Sequence, residues 1–259
     1  MKIEGIIFDW AGTTVDFGCM APVRAFMDSF KGCGVPVTEE ETRKPMGMLK
    51  RDHIRTMLAM PRIKAAWTEI HGTAPDETSV EEVYGRFEPE LLATLTNFTT
   101  VKPDLLPALK TLRAMGLKIG STTGYTDKMM AIVEKAAADQ GYVPDAWFSA
   151  DATGGKGRPY PYMVFKNMET LGLADVRRVI KVGDTVADIK EGLAAGVWSV
   201  GVIDGSSVMA VSEETFSALS EAEKDALRAK VRKVYEEAGA DFIIRDLSEL
   251  PKLAESINL

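Results

Sequence analysis

The sequence of 259 residues has few of the features that mark secreted, membrane or nucleic-acid-binding proteins. It contains only two cysteines, Cys19 and Cys33, so we expect no disulfide framework and a reduced, cytoplasmic protein. No apolar run reaches the roughly 18 residues of a membrane span, and the run at residues 3–8 is too short for a signal peptide. A net charge of −7 argues against a nucleic-acid partner.

The remaining composition is that of an ordinary globular protein, with 46% hydrophobic and 27% charged residues. There is no internal repeat and no low-complexity segment. A chain of this length buries a sizeable core, which is arranged either as one large domain or as a core domain with a smaller insertion.

Short apolar runs that end in polar or glycine residues alternate with helical patterns along most of the chain. The apolar runs span residues 3–8, 117–122, 179–182, 198–202 and 241–244. The helical patterns span residues 104–115, 126–140, 162–171 and 185–195, and residues 212–238 indicate a charged amphipathic helix or helix pair. This alternation predicts βαβ units and therefore an α/β fold with a parallel sheet.

One interval, residues 20–99, interrupts the alternation because its pattern is mostly helical. About 80 residues are too many for a simple loop in a compact domain. We therefore predict a helical cap domain at residues 20–99, inserted into a core domain formed by residues 1–19 and 100–259.

Polar residues follow the predicted strands at Asp9, Thr123 and Asp184, and Asp188 lies one helical turn further on. In parallel α/β sheets, ligands bind at the carboxyl ends of the strands. A single aspartate at such a position is more often the cap of the following helix. The combination of all four residues favours a functional site.

These residues resemble the motifs of the haloacid-dehalogenase superfamily. Asp9-Trp10-Ala11-Gly12-Thr13 is similar to its first motif, normally Asp-x-Asp-Gly-Thr, and Thr123 to its second. Either Lys156 or Arg158 supplies the cation of the third motif, and Gly183-Asp184-Thr185-Val186-Ala187-Asp188 looks like the fourth. The resemblance implies a Rossmann-like core with an inserted cap.

The resemblance also implies roles for the motif residues. Asp9 is expected to attack phosphorus and form an aspartyl-phosphate, while Thr123 and Arg158 bind the phosphoryl oxygens. Mg²⁺ is expected on Asp9, the backbone carbonyl of Ala11 and Asp184. Asp188 is expected behind these ligands, where it binds through water or orients a neighbour.

Ala11 departs from the superfamily pattern, because most of its phosphatases carry a second aspartate there to protonate the leaving group. Alanine has no acid–base chemistry. Either the chain is an impaired phosphatase, or its leaving group is not an alkoxide. Asp-Trp-Ala-Gly-Thr-Thr is the first motif of the phosphonoacetaldehyde hydrolase family, and the resemblance continues through residues 16–19, 45–53, 121–126 and 157–161.

This family resemblance implies hydrolysis of the C–P bond of phosphonoacetaldehyde to acetaldehyde and phosphate, in 2-aminoethylphosphonate degradation. Lys50 matches the lysine that forms a Schiff base with the aldehyde. The imine is an electron sink, so the carbon leaves as an enamine and needs no acid at position 11. Lys50 must be unprotonated to react, which requires a lowered pKa. Without the resemblance, Lys50 reads as an ordinary exposed lysine.

The family resemblance extends to the surroundings of the substrate and to assembly. Cys19, Met46, Gly124 and Tyr125 are expected to line the substrate site, and a homodimer through the cap is expected. His53 shares a helix face with Lys50. The resemblance makes it a proton relay, and the alternative is a cap histidine bonded to the backbone.

Two other functions remain open from the sequence. One is an ordinary phosphate-ester phosphatase or phosphomutase of the same superfamily, against which Ala11 counts. The other is a non-catalytic module that binds phosphate and metal only.

Overall fold

Six parallel strands form one sheet in a computed structural model that describes residues 2–257. They are β1 (Gly5–Phe8), β2 (Lys118–Thr122), β3 (Ala146–Phe148), β4 (Val179–Gly183), β5 (Trp198–Val202) and β6 (Phe242–Ile244). Their order is β3-β2-β1-β4-β5-β6, which is the Rossmann order. The direction of winding reverses between β1 and β4, and a crevice at that point is where such sheets bind ligands.

The helices that follow the strands cover the faces of the sheet. They are α6 (Leu105–Ala114), α7 (Asp127–Asp139), α8 (Tyr162–Leu171), α9 (Val186–Ala195), α10 (Glu213–Ala218), α11 (Glu221–Ala238) and α12 (Leu250–Ser256). Residues 212–238 thus form a helix pair. All residues of β1 and β4 are buried, as expected for central strands covered on both sides.

The predicted α/β fold is confirmed, and all five predicted strands are present. The sequence pattern missed β3, which has only three residues, Ala146–Phe148. All three are half-buried, and the strand lies at the edge of the sheet. A strand this short offers no alternation long enough to identify.

The regular secondary structure of residues 20–99 is helical. The helices are α1 (Met20–Gly32), α2 (Glu39–Arg43), α3 (Lys50–Leu58), α4 (Pro61–His71) and α5 (Glu77–Thr94), followed by a 3₁₀ turn (Leu95–Phe98). Helix α5 packs against both α1 and α3, and the rings of Phe26 and Phe87 stack with centroids 4.1 Å apart. We call residues 20–99 the cap, and its boundaries as a separate domain stay a prediction. No helix among residues 2–257 combines the length and apolar character needed to cross a membrane.

Candidate active site

Asp9 follows the last residue of β1, at the point where the strand order reverses. Phe8 is in register with Val182 of β4 and with Ser121 of β2. The backbone N–H of Asp9 donates to the carbonyl of Val182 at 2.9 Å. This pairing brings the carboxyl ends of the three strands, with Asp9, Asp184 and Thr123, to one edge of the sheet.

The Asp184 carboxylate is held in one orientation from two sides. Its Oδ1 accepts from the Thr13 hydroxyl at 3.1 Å, and its Oδ2 accepts from the Ser207 N–H at 2.7 Å. Gly12 makes room for it: a Cβ there would lie 2.2 Å from Asp184 Oδ2, and the φ of +90° itself favours glycine. Burial raises the pKa of Asp184 well above its usual value, and the negative charges of Asp9 and Asp188 add to the effect.

The carboxylates of Asp9, Asp184 and Asp188 form a cluster whose ligand oxygens lie within 4.8 Å of one another. All three are buried. Burial also raises the pKa of Asp9. Three buried carboxylates need positive charge nearby, and oxygen donors suit a hard divalent cation. The cluster therefore fits a hard divalent metal ion, the class to which Mg²⁺ belongs.

Arg158 is the buried cation beside Asp9. Its Nη2 lies 2.6 Å from Asp9 Oδ1, and its side chain is 1% exposed. Lys156, the other candidate for this position, is exposed and lies over the ring of Tyr162. Of these two residues, Arg158, which we expect to bind the phosphoryl oxygens, is the one that lies beside Asp9.

Both carboxylate oxygens of Asp188 already have partners within the protein. Its Oδ1 accepts from Lys181 Nζ at 2.7 Å and lies 3.1 Å from Arg158 Nη1. Its Oδ2 accepts from the Thr185 hydroxyl at 2.5 Å, in the capping box that begins α9. Burial raises the pKa of Asp188, but the charges of Arg158 and Lys181 outweigh it, so the pKa is lowered.

Lys50 is the first residue of α3 and is 3% exposed. Its Nζ lies over the ring of Tyr125, 4.8 Å from the centroid, and 5.8 Å from that of Phe26. Within residues 2–257 this amine has no hydrogen bond or ion pair. Burial lowers the pKa of Lys50, and the nearby positive charge of Arg158 acts in the same direction. The sequence alone suggested an exposed lysine, whereas the fold encloses it.

A small cavity of about 20 Å³ lies between the cap and the core at this place. Its lining includes nine of the predicted site residues: Asp9, Ala11, Cys19, Met46, Lys50, Thr123, Gly124, Tyr125 and Arg158. Gly47 and Thr185 complete it. The Asp9 carboxylate of the core and the Lys50 amine of the cap therefore face the same small space. Asp184, Asp188 and His53 lie outside the lining.

His53 is buried next to the cavity rather than in it. Its Nε2 donates to the Thr42 carbonyl at 2.8 Å, and its ring stacks on Phe26 with centroids 3.9 Å apart. Nδ1 is buried and has no hydrogen-bond partner in the described part of the chain. Burial lowers the pKa of His53 well below its usual value, and the charge of Lys50 contributes. The backbone bond agrees with the alternative that the sequence left open, and the relay stays a prediction.

Cys19 and Tyr125 are two other residues that line the cavity. Asp16 accepts from the N–H groups of Met20 and Ala21 at 3.0 and 3.1 Å, so it caps α1 and sets the position of Cys19 just before it. Tyr125 borders the cavity, and its buried hydroxyl has no hydrogen-bond partner among the residues that the structure describes. Burial raises the pKa of the Cys19 thiol well above its usual value, so Cys19 is a neutral wall of the cavity.

Sequence reasoning missed Lys181 and Glu191, which are both fully buried behind the cavity. Lys181 interrupts the otherwise apolar β4, and Glu191 lies on α9. A charged residue in the middle of a strand that is buried on both faces was the available signal, because it requires a buried partner.

Comparisons with known proteins agree with this architecture. A family model described as haloacid dehalogenase-like hydrolase matches residues 3–196. Among solved structures, a phosphonoacetaldehyde hydrolase-like protein from Oleispira antarctica superposes with a TM-score of 0.96 and 38% sequence identity, covering 99% of this chain and 93% of that one. The fold and the motifs thus define a hydrolase of the haloacid-dehalogenase class.

Curated relatives identify the family within this class. The phosphonoacetaldehyde hydrolase of Lysinibacillus sphaericus is 50% identical over 258 residues, which cover all of this chain and 96% of the relative. The bifunctional phosphonoacetaldehyde hydrolase/aminoethylphosphonate transaminase of Clostridioides difficile is 49% identical, and the match covers 96% of this chain and 39% of that protein. The chain belongs to the phosphonoacetaldehyde hydrolase family of the haloacid dehalogenase-like hydrolases.

Proposed function

We propose that this protein hydrolyses the C–P bond of phosphonoacetaldehyde and releases acetaldehyde and inorganic phosphate. One observation carries the proposal. The Lys50 amine is buried, has no polar partner among residues 2–257, and borders the same cavity as the Asp9 carboxylate, while position 11, where related phosphatases carry an acid, is alanine. Such a site provides a nucleophile for an aldehyde and a nucleophile for phosphorus, but no acid for an alkoxide.

The first step belongs to Lys50. Burial lowers its pKa and so favours the neutral amine, which attacks the aldehyde carbon; loss of water leaves a protonated imine. The faces of Tyr125 and Phe26 lie near Nζ and stabilise a cation there through their ring electrons.

The second step belongs to Asp9. Its carboxylate attacks phosphorus, the C–P bond breaks, and the electron pair moves to carbon and on to the imine nitrogen, which gives an enamine on Lys50. The enamine takes up a proton and its imine is hydrolysed to acetaldehyde and free Lys50. Water cleaves the aspartyl-phosphate to phosphate and Asp9.

Two residues are suited to bind the phosphoryl oxygens. Arg158 presents N–H donors beside Asp9. The Thr123 hydroxyl accepts from the Tyr125 N–H at 3.0 Å, which leaves its own hydrogen free to donate into the cavity. Preorganised donors of this kind stabilise the charge that develops on the transferred group.

Asp9, Asp184 and the backbone carbonyl of Ala11 are the groups that would hold Mg²⁺. When bound, the ion would reduce repulsion between the Asp9 carboxylate and the anionic phosphoryl group. Asp188 is engaged by Lys181 and Thr185 and would act from behind these ligands.

The decisive assay is Mg²⁺-dependent release of acetaldehyde from phosphonoacetaldehyde, read through an alcohol dehydrogenase and NADH. Borohydride added with the substrate should attach a two-carbon adduct to Lys50, detected by mass spectrometry. Lys50→Ala should lose both turnover and the adduct, whereas Lys64→Ala, an exposed lysine of the same cap, should keep both. Full activity in Lys50→Ala would exclude the Schiff base.

The competing functions give different results in the same assays. A phosphatase or phosphomutase would turn over sugar phosphates faster than phosphonoacetaldehyde. For a binding module, the wild-type protein and Asp9→Asn would show equal, negligible turnover. Under the proposed function, the Asp9→Asn variant has no turnover but still binds substrate.

The proposal includes a cellular setting that rests on the family resemblance. We place the enzyme in the cytoplasm, in 2-aminoethylphosphonate degradation, as a homodimer through the cap and without a nucleic-acid partner. The name of the C. difficile relative pairs the hydrolase with an aminoethylphosphonate transaminase, which supports this pathway. Light scattering of the purified protein tests the dimer, and a monomer at working concentration would refute it.

A further inference from the structure

Each of the three guanidinium nitrogens of Arg158 has a partner within the protein. Nε donates to Glu191 Oε2 at 2.9 Å. Nη1 faces Asp188 Oδ1 at 3.1 Å and the Gly47 carbonyl at 3.4 Å. Nη2 faces Asp9 Oδ1 at 2.6 Å and the Thr122 hydroxyl at 2.8 Å. The position of this arginine is therefore determined on every side.

Glu191 and Thr122 lie on the side of Arg158 that is remote from the cavity. The Thr122 hydroxyl accepts from Arg158 and donates to Glu191 Oε2 at 2.9 Å, so the three side chains form a closed triangle. Both Glu191 and Thr122 are fully buried, and neither lines the cavity. No part of the mechanism above uses them.

We propose that Glu191 and Thr122 are positioning residues that hold Arg158 so that its Nη1 and Nη2 edge meets the phosphoryl group beside Asp9. The inference rests on the proposed function, because it concerns the group that the arginine binds. Glu191 and Thr122 act through Arg158 and do not touch substrate.

The physical reason is that Asp9, Glu191 and Thr122 compete for the same cation, the guanidinium of Arg158. Asp9 must attack phosphorus, yet its carboxylate is also an ion-pair partner of Arg158. Arg158 now meets Asp9 through Nη2 alone; without Glu191 and Thr122 it would be free to turn a second donor onto Asp9, which engages the nucleophile more strongly. The triangle supplies two acceptors on the other side of the guanidinium, and these limit the contact with Asp9 to one nitrogen. Lys181, with its Nζ 3.6 Å from Glu191 Oε2, helps to balance the charge of the buried carboxylate.

The test compares two pairs of variants by kinetics and by the affinity for inorganic phosphate measured calorimetrically. Thr122→Val has the same shape and charge but breaks the triangle, and Thr122→Ser restores the hydroxyl. Glu191→Ala removes the acceptor, whereas Glu191→Gln keeps an oxygen for Arg158 and Thr122. We expect Thr122→Val and Glu191→Ala to lose about 10- to 100-fold in kcat and in phosphate affinity. Thr122→Ser and Glu191→Gln should recover most of the loss.

Several outcomes separate this inference from its alternatives. Glu169→Ala, an exposed glutamate on α8, serves as the control and should match wild type. If Glu191→Ala fails to fold, the isosteric Thr122→Val carries the test. Wild-type kcat and phosphate affinity in Thr122→Val would overturn the inference, as would equal losses in both members of each pair. Absence of phosphonoacetaldehyde turnover in the wild-type protein would instead refute the proposed function.

Discussion

Replacing Gly12 by alanine tests whether the exact placement of the Asp184 carboxylate matters. The added Cβ would stand 2.2 Å from Asp184 Oδ2, whereas ordinary contacts begin near 3.4 Å. The carboxylate must therefore move by about 1 Å, and a misplacement of that size in an active site costs on the order of 100-fold in rate. It would also weaken the hydrogen bonds that Asp184 receives from Thr13 and Ser207.

The same substitution carries a backbone cost that must be separated from this effect. Alanine in the left-handed region costs about 1–2 kcal/mol, which lowers Tm by roughly 2–4 °C per kcal/mol in a protein of this size. Gly116→Ala is a matched control, because Gly116 has a φ of +81° and no described atom lies within 4 Å of the position that a Cβ would take there. The control should lose stability and keep activity.

The measurements are calorimetric Tm and the initial rate of acetaldehyde release at increasing Mg²⁺. We expect Gly12→Ala to show about 100-fold lower kcat or a raised Mg²⁺ requirement, with a loss of Tm at least equal to that of Gly116→Ala. If Gly12→Ala and Gly116→Ala have the same kcat and Mg²⁺ dependence, the Asp184 carboxylate does not need its position, and the reasoning is wrong.

Three further predictions concern charge and stability. Lys50→Met should abolish turnover yet raise the free energy of unfolding by about 1–3 kcal/mol, since it removes a buried amine that has no polar partner among residues 2–257. Equal or lower stability of the variant in denaturant titrations would contradict this. Burial raises the pKa of Asp16 from 3.8 to about 7, so the protonated Asp16 side chain stabilises the fold less and less as the pH rises from about 3.8 to about 7. The stability of Asp16→Asn relative to wild type should therefore increase over this pH range. A difference in stability that does not change with pH would argue against it. Removing Mg²⁺ with EDTA should lower Tm in the wild type but not in Asp184→Asn, because an ion that binds only the folded state stabilises it; an equal shift in both would place the ion elsewhere.

Local sequence signals were sufficient for most of the fold. The apolar run before Asp9 is a strand because both of its faces are covered, which an uninterrupted apolar pattern expresses directly. The run that ends at Gly183 gives the same signal, although Lys181 interrupts it. The three-residue strand β3 could not be predicted, because its backbone pairing with β2 is a tertiary interaction and its own pattern is too short.

For the site, the sequence identified which residues carry chemistry but not how each is surrounded. The motif order placed Asp9, Thr123 and Asp184 at strand ends, since parallel strands end at the same edge of a sheet. It did not decide between Lys156 and Arg158, which lie two residues apart. Only packing shows that Arg158 is buried against Asp9 while Lys156 is exposed.

The sequence by itself thus determined the parallel sheet, the helical insertion and the residue types of a phosphoryl-transfer site, because these follow from periodicity and short motifs. The tertiary structure decided the environment of Lys50. Phe26 from α1 and Tyr125 from the loop after β2, both distant from Lys50 in sequence, place their rings next to its amine. Burial is a long-range property of the fold, and it is what lowers the pKa of this lysine.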